Sequence, residues 1–462
     1  MMRRSCVFLL VLVMLQALAA PCYASSPSVI SISAGASHCL ALTSDGSVLA
    51  WGSNDHGQLG DGTTVSTSTP VKVKGLTHVV AIAAGAAHSL ALKDDGTVWA
   101  WGDNYNGNLG DGTTEDRLTP VQVVGLTNVK AIAAGTMTSF ALKDDGTLWA
   151  WGVNSRGDLG DGTLEDRLTP VQAKVPAKVV KIGHKGTFAV ADGGDVWAWG
   201  NNVIIVFGND SIYGMLGDNY DQVRPTPFRV EQLSNVKEIT NGLEHVVFIK
   251  DDGTVWTWGL NDKGQLGNNA KIDDKTVTTT PVKALGINNV KDVSAGYYYS
   301  LALKNDGSVW KWGEDYYTIL NMLGVYSKLV SAPEQIGGLS GIIAISSGNY
   351  FYIALKNDGS VWGWGYNENG QLGSHASFVS APVKIIGGST QVSTPTAYIS
   401  PSAIASANPS TAAPTNTPIV PSSATPAYPV SASQNWLDLR LLGLIGLLII
   451  VIGAAYVLFT RK

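Results

Sequence analysis

The chain has 462 residues, 45% of them hydrophobic and 15% charged, with a formal net charge of −5. That is long and apolar enough to bury a large core, which excludes a disordered protein. Between Ser25 and Leu437 there are 26 Lys and Arg against 35 Asp and Glu, and this acidic balance argues against a nucleic-acid partner held by phosphate contacts.

Residues 1–24 read as a secretory signal. Arg3 and Arg4 precede an apolar stretch from Val7 to Ala20, and Ala17, Ala19 and Ala24 offer small residues for cleavage. Cys6 and Cys22 would leave with it, so Cys39 remains alone and no disulfide within the chain is expected. Cys39 takes the repeat position of Ser89 and is expected to be a small core residue.

Residues 25–388 are organised by one phrase that recurs seven times. Its second Trp falls at Trp51, Trp101, Trp151, Trp199, Trp258, Trp312 and Trp364. Six copies carry a first Trp as well, at Trp99, Trp149, Trp197, Trp256, Trp310 and Trp362; the first copy has Leu49. A fixed period of this size means an array of like supersecondary units. In the second unit Val79–Gly85, His88–Lys93, Thr97–Trp101 and Pro120–Val124 read as four short strands, with Asp95-Gly96 as a two-residue turn. Pro120 lacks an N–H, so its strand should be an edge. Four strands per unit make a propeller blade, and the expected fold is an all-β seven-bladed β-propeller.

Residue sizes fit that geometry. Alternation puts Trp99 and Trp101 on one face and Val98 and Ala100 on the other, so each blade can set its Trp pair against the smaller face of a neighbour. Burying one Trp removes about 150–250 Å² from water, roughly 4–6 kcal/mol gross. The Ala-Ile-Ala-Ala-Gly strand is made of small residues and should be innermost, where seven sheets converge. The link from the Trp strand to the Pro strand is long, Gly102 to Thr119 in unit two. Such a length predicts a crossing to the next blade, with Pro382–Ile386 returning to pair beside Val48–Trp51 and clasp the ring.

The run from Gly85 to Leu92, the Asp-Gly turn, Trp-x-Trp-Gly, and Asn104-x-x-Gly107-x-Leu109-Gly110 resemble the repeats of the regulator of chromosome condensation family. The resemblance covers Val29 to Gly388 and implies a seven-bladed propeller, here of a secreted or surface, prokaryotic type. It implies little about function, because the fold hosts unrelated activities. Guanine-nucleotide exchange, the activity of the founding member, is opposed by the expected topology and by the absence of a basic tail.

No catalytic, cofactor or metal site is expected. His38, His88 and His245 share one repeat position, which keeps them apart around a ring, and no His-Glu-x-x-His or Cys-x-x-Cys spacing occurs. Stretches such as Asp103 to Asp116 lack a calcium-loop pattern and read as Asx turns. A carbohydrate-active enzyme would need paired catalytic residues, and none can be named. Variation between repeats points instead to a binding face. The two residues after each inner-strand Gly should form loops on one face near the axis. They are bland in early units and include Met137, His184, Lys185, Glu244, Tyr297, Tyr298, Asn349 and Tyr350 later, with Tyr299 and Phe351 adding to the aromatic character. Tyr enrichment marks interaction surfaces. Unit four also carries an insertion, Val203 to Tyr213, readable as a sticky loop or an extra strand pair.

Residues 389–437 read as a stalk. Ser, Thr, Pro and Ala fill 34 of the 45 positions from 389 to 433, which cannot build a core. Residues 438–462 read as a membrane anchor: Leu441 to Phe459 is 19 residues without a charge, followed by Arg461 and Lys462. Positive residues stay cytoplasmic, which places the propeller outside as a type I surface protein. The function expected is an extracellular protein- or glycan-binding module, a monomeric propeller held to the membrane by its C-terminal helix.

Overall fold

The apolar runs fold as their alternation requires. A computed structural model describes residues 27–387, apart from 177, 183–186, 206–210, 219–221, 271, 273–276 and 315–328. Blade 1 is an antiparallel meander of β1 (Val29–Ala34), β2 (His38–Thr43), β3 (Val48–Gly52) and β4 (Thr67–Lys72), hydrogen-bonded in that order. Blade 2 repeats it with β5 (Val79–Ala84), β6 (His88–Lys93), β7 (Val98–Gly102) and β8 (Arg117–Gln122). Seven such four-stranded sheets follow one another along the chain, and the described residues contain no helix. The fold is an all-β seven-bladed propeller. The expected leader (1–24), stalk (389–437) and anchor (438–462) lie outside the described residues.

Small residues lie innermost and prolines outermost. β1 touches β5, and β5 touches the first strand of blade 3, Val129–Ala134, so the Ala-rich strands meet at the axis. β4 and β8, each with its Pro, are the outer edges of their sheets. The hairpin turn is wider than two residues. Lys93 and Thr97 close it, and Gly96 N–H donates to Lys93 O with Gly96 at φ +76°. This three-residue turn needs a left-handed Gly at its third position. Asp95 Oδ1 accepts from the Thr97 hydroxyl at 2.6 Å, and Thr97 Oγ1 accepts from Trp99 Nε1 at 3.3 Å.

Both Trp of a blade point at the preceding blade. Trp101 is fully buried and packs with Leu40, Leu42, Val48 and Ala50 of blade 1, with Trp99 beside it. Trp99 is half-buried and capped by Lys93, whose Nζ lies 5.6 Å from the ring centre. The same cap recurs as Lys143 on Trp149, Lys250 on Trp256 and Lys304 on Trp310.

The long loop does not carry its strand to the next blade. Val383 pairs with Gly363 inside blade 7, and every fourth strand pairs with the third strand of its own blade. The expected clasp of Pro382–Ile386 beside Val48–Trp51 is therefore wrong. The loop spends its length reaching the next blade and coming back. Asn104 pins it: Oδ1 accepts from Leu109 N–H at 2.9 Å, and Nδ2 donates to Thr113 O at 3.1 Å. This holds Asn108 O where Trp151 Nε1 donates to it at 2.9 Å. Gly110, at φ +67°, gives that indole room, since a Cβ there would lie 2.8 Å from Trp151 Nε1. The bond recurs as Trp101 to Gln58 O, Trp199 to Asp158 O, Trp258 to Met215 O and Trp312 to Gln265 O. Trp51 to Gln371 O, at 2.9 Å, is the same bond between blades 1 and 7. Ring closure is thus a repeat of the ordinary blade contact, supported by Cys39, whose buried Sγ–H also points to Gln371 O at 3.6 Å.

The insertion in blade 4 forms a strand pair, Val203–Ile205 with Ser211–Tyr213, between the third and fourth strands. This is the second of the two forms the sequence allowed.

The repeated histidines are bridges between blades. His38 Nε2 lies 3.0 Å from Ser89 Oγ, His88 Nε2 3.0 Å from Ser139 Oγ, and His245 Nε2 2.9 Å from Ser300 Oγ. Ser89 donates its hydroxyl to Gln58 O, so it accepts from His38, whose proton is then on Nε2. Burial lowers the pKa of His38 to about 3, with His88 adding to the shift, and that of His88 to about 4. Both are neutral in the folded state and charge near pH 6.5 once unfolded, so the unfolded chain binds more protons between the two values. Stability is complete above about pH 7 and falls on acidification, by about 2 kcal/mol per histidine at pH 5. The double variant His38→Gln, His88→Gln should lose about 4 kcal/mol less than the parent between pH 7 and 5 in denaturant titrations. Equal losses would show that these rings do not set the acid sensitivity.

Candidate functional site

The loops joining first and second strands gather around the axis. They line a cavity of about 500 Å³ whose wall includes Gly35, Gly85, Gly135, Gly242, Tyr297 and Gly348. Backbone bonds chain the loops together. Leu243 N–H donates to Tyr297 O, Tyr297 N–H to Asn349 O, Asn349 N–H to Ala36 O, and Ala36 N–H to Gly85 O. The rim is one connected backbone from blade 5 through blades 6, 7 and 1 to blade 2, so its side chains stand on a fixed frame.

The expected binding residues divide on that frame. Met137 lines the cavity and is 45% exposed, as is Leu243. Asn349, Tyr297, Tyr298 and Tyr350 are half-buried, and Glu244 is buried. His184 and Lys185 lie outside the described residues. Tyr299 and Phe351 do not belong to the face. They are 2% and 0% exposed, and Tyr299 donates its hydroxyl to Gly348 O and Phe351 O between blades 6 and 7. Alternation explains this: one step past Tyr298 the strand begins, and its first side chain turns between the blades.

The tyrosines touch edge to face. Ring centres lie 6.2 Å apart for Tyr297 and Tyr298, 4.9 Å for Tyr297 and Tyr350, and 6.5 Å for Tyr350 and Tyr366. Tyr366 was not among the expected residues, and neither was Glu314. Both follow a Trp-x-Trp-Gly phrase directly. Their amides bond the rim loop beside them, Tyr366 N–H to Tyr350 O and Glu314 N–H to Tyr298 O. The residue after the phrase is therefore a third variable position per blade: Ser53, Asp103, Val153, Leu260, Glu314 and Tyr366 among others. Strand register was the signal that could have found it.

Acidic groups stand against this aromatic row. Burial raises the pKa of the Tyr298 hydroxyl, and Glu244, Asp262 and Glu314 raise it further. Burial also raises that of Glu314, with Lys263 opposing and Asp262 adding. Asp262 is buried and pairs with Lys263 at 3.6 Å. Elsewhere, His56 lies 2.9 Å from Asp116 and 3.8 Å from Asp103 between the loops of blades 1 and 2. It is the one convergence of metal-type ligands among the described residues. The hydrogen bond to Asp116 raises the pKa of His56 first of all, while Asp116 also accepts from Asn104 N–H and Asp103 from Asn108.

Seven blades, with six of the seven repeat indoles donating to a loop carbonyl of the neighbouring blade among the described residues, define an RCC1-like propeller. Family profiles agree. The RCC1-like domain matches residues 14–204, and the regulator of chromosome condensation (RCC1) repeat matches 252–303 and 358–400. The chain belongs to the RCC1 repeat family. It is 36% identical over 168 residues to the human E3 ubiquitin-protein ligase HERC2, covering 35% of this chain and 3% of that protein. It is 32% identical over 152 residues to the mouse regulator of chromosome condensation, covering 32% of this chain and 35% of that protein. The chain thus spans a small part of the length of these relatives. Among solved structures it is similar to Prp20p from Saccharomyces cerevisiae, with a TM-score of 0.63 at 22% identity over 78% of this chain and 88% of that one. Human WBSCR16 gives 0.60 at 22% identity, over 74% and 95%. These structural likenesses establish the fold.

Rim and core tyrosines should separate on substitution. Changing Tyr297, Tyr298 and Tyr350 together to Ala should leave the melting temperature within about 5 °C of the parent. Tyr299→Ala should cost about 3–5 kcal/mol, because it empties a buried site and removes the hydroxyl that Gly348 O accepts. A thermal melt of each reads the difference; equal losses would place the rim rings in the core.

Proposed function

We propose that this chain is a binding module that presents the propeller rim to an extracellular protein or glycan. The observation that carries the reading is the half-buried row Tyr298, Tyr297, Tyr350 and Tyr366 on a rim whose backbone is already fixed. Rings held before binding lose little freedom when a partner arrives, and such residues dominate binding energy at interfaces. A wall rich in glycine and alanine on the side of blades 1 and 2 leaves the cavity open beside them.

Display outside a membrane is the other half of the proposal. It is supported by the apolar leader (1–24), the uncharged stalk (389–437) and the anchor (438–462) with its terminal Arg461 and Lys462. Exchange on a small GTPase is not favoured, since the acidic repeat region and this topology both oppose it. Nor can a reaction be assigned, because the rim gathers no nucleophile with its base among the described residues.

Two measurements test the proposal. Protease added to intact cells should release a soluble propeller by cutting between 389 and 433; protection until lysis would overturn the display. Crosslinking and mass spectrometry on cells bearing the parent and the triple tyrosine variant should recover a surface partner that depends on the rings. Recovery of the same set from both would overturn the binding face.

A further inference from the structure

We propose that the rim of blades 5 to 7 seats a cationic side chain, an arginine or lysine of a protein partner, on its tyrosine row beside Glu314 and Asp262. This rests on the binding reading and narrows its chemistry.

Three independent features point the same way. The first is the aromatic surface. Tyr298, Tyr297, Tyr350 and Tyr366 run from blade 6 to blade 7 with successive ring centres 6.2, 4.9 and 6.5 Å apart. All four rings are half-buried, and the negative face of an accessible aromatic ring attracts a cation in a desolvated setting.

The second is charge. Glu244, Asp262 and Glu314 all act on the hydroxyl of Tyr298, so their fields meet at the end of the row. Glu244 and Asp262 are buried, and Glu314 is half-buried. Glu368, exposed at the other end, accepts the hydroxyl of Tyr366. Carboxylates drawn out of water call for a positive partner more than for a neutral sugar, whose hydroxyls supply only dipoles. Lys263 answers part of this by pairing with Asp262, and Glu314 has no hydrogen-bonded or ion-paired side-chain partner among the described residues. The net negative charge of the chain adds long-range attraction for a basic partner.

The third lies in the cavity wall. Ser347 is 7% exposed and lines the cavity beside Gly348 and Asn349, and its Oγ has no hydrogen-bond partner among the described residues. Asn241 lines the same wall, and its Oδ1 is also without one. Buried polar atoms left open are costly, and the further N–H donors of a basic partner would answer them through the cavity that Tyr297 also lines. An anionic partner would meet the repulsion of Glu314 and Asp262 beside Tyr298.

The test uses the full chain in detergent micelles and a fluorescent arginine–glycine repeat peptide. Its isostere, with each arginine replaced by citrulline, keeps shape and removes charge. The arginine peptide should bind about tenfold more tightly than the citrulline peptide, with Glu314→Gln and Tyr298→Ala each weakening it about fivefold. Glu165→Gln and Glu231→Gln remove the same charge on blades 3 and 4 and should leave affinity within about twofold. Equal binding of the two peptides, or equal weakening by the remote variants, overturns the proposal. If Tyr298→Ala melts early, Glu314→Gln decides by itself. If a ring-dependent surface partner is captured while arginine shows no advantage over citrulline, the binding face stands and its cationic chemistry falls.

Discussion

One bond organises this molecule: the N–H of a buried indole donating to a carbonyl in the loop of the preceding blade. A Trp in a core brings a large apolar area and one donor that must be satisfied. Here the donor is answered from outside its own sheet, by Gln58 O for Trp101 and Asn108 O for Trp151. The acceptor is in place only because Asn104 and its counterparts knot the long loop, and because Gly110 and its counterparts let the indole approach. Where that bond is made, between six pairs of neighbouring blades among the described residues, packing, loop shape and blade spacing are therefore one constraint.

That constraint explains what could be read from the chain alone. The blade count, the inner and outer strands and the facing of the Trp pairs follow from period, residue size and alternation, and each holds in the structure. The path of the long loop was not legible. Its length is equally consistent with crossing to another blade and with a knot that returns, and only the position of Asn108 O under Trp151 separates them. Local pattern says how far a loop can reach, not what its carbonyls touch.

The rim was half legible. Variation after the inner-strand glycine located Tyr297, Tyr298 and Tyr350, but the same logic swept in Tyr299 and Phe351, which the strand turns inward. Tyr366 and Glu314 were missed because they lie far from the rim loops in sequence and arrive there through register, Tyr366 N–H meeting Tyr350 O and Glu314 N–H meeting Tyr298 O. Three positions per blade on a shared backbone also explain how one fold serves unrelated partners: the frame is common, and the side chains on it are free to differ.

Closure by an ordinary blade contact has a consequence for biosynthesis. Blades 2 to 6 each meet a predecessor that has already left the ribosome, so their indoles find a carbonyl already made. Blade 1 has no predecessor. Trp51 waits for Gln371, 320 residues further along, and with it wait Val29, Ile32, Cys39 and Ala41, which pack against Phe351, Ile353 and Val361 of blade 7. For most of synthesis the chain is an open arc with one apolar face uncovered at its oldest end. A surface of that kind invites premature association with other nascent chains. The first blade is made earliest and completed last, when blade 7 closes over that face.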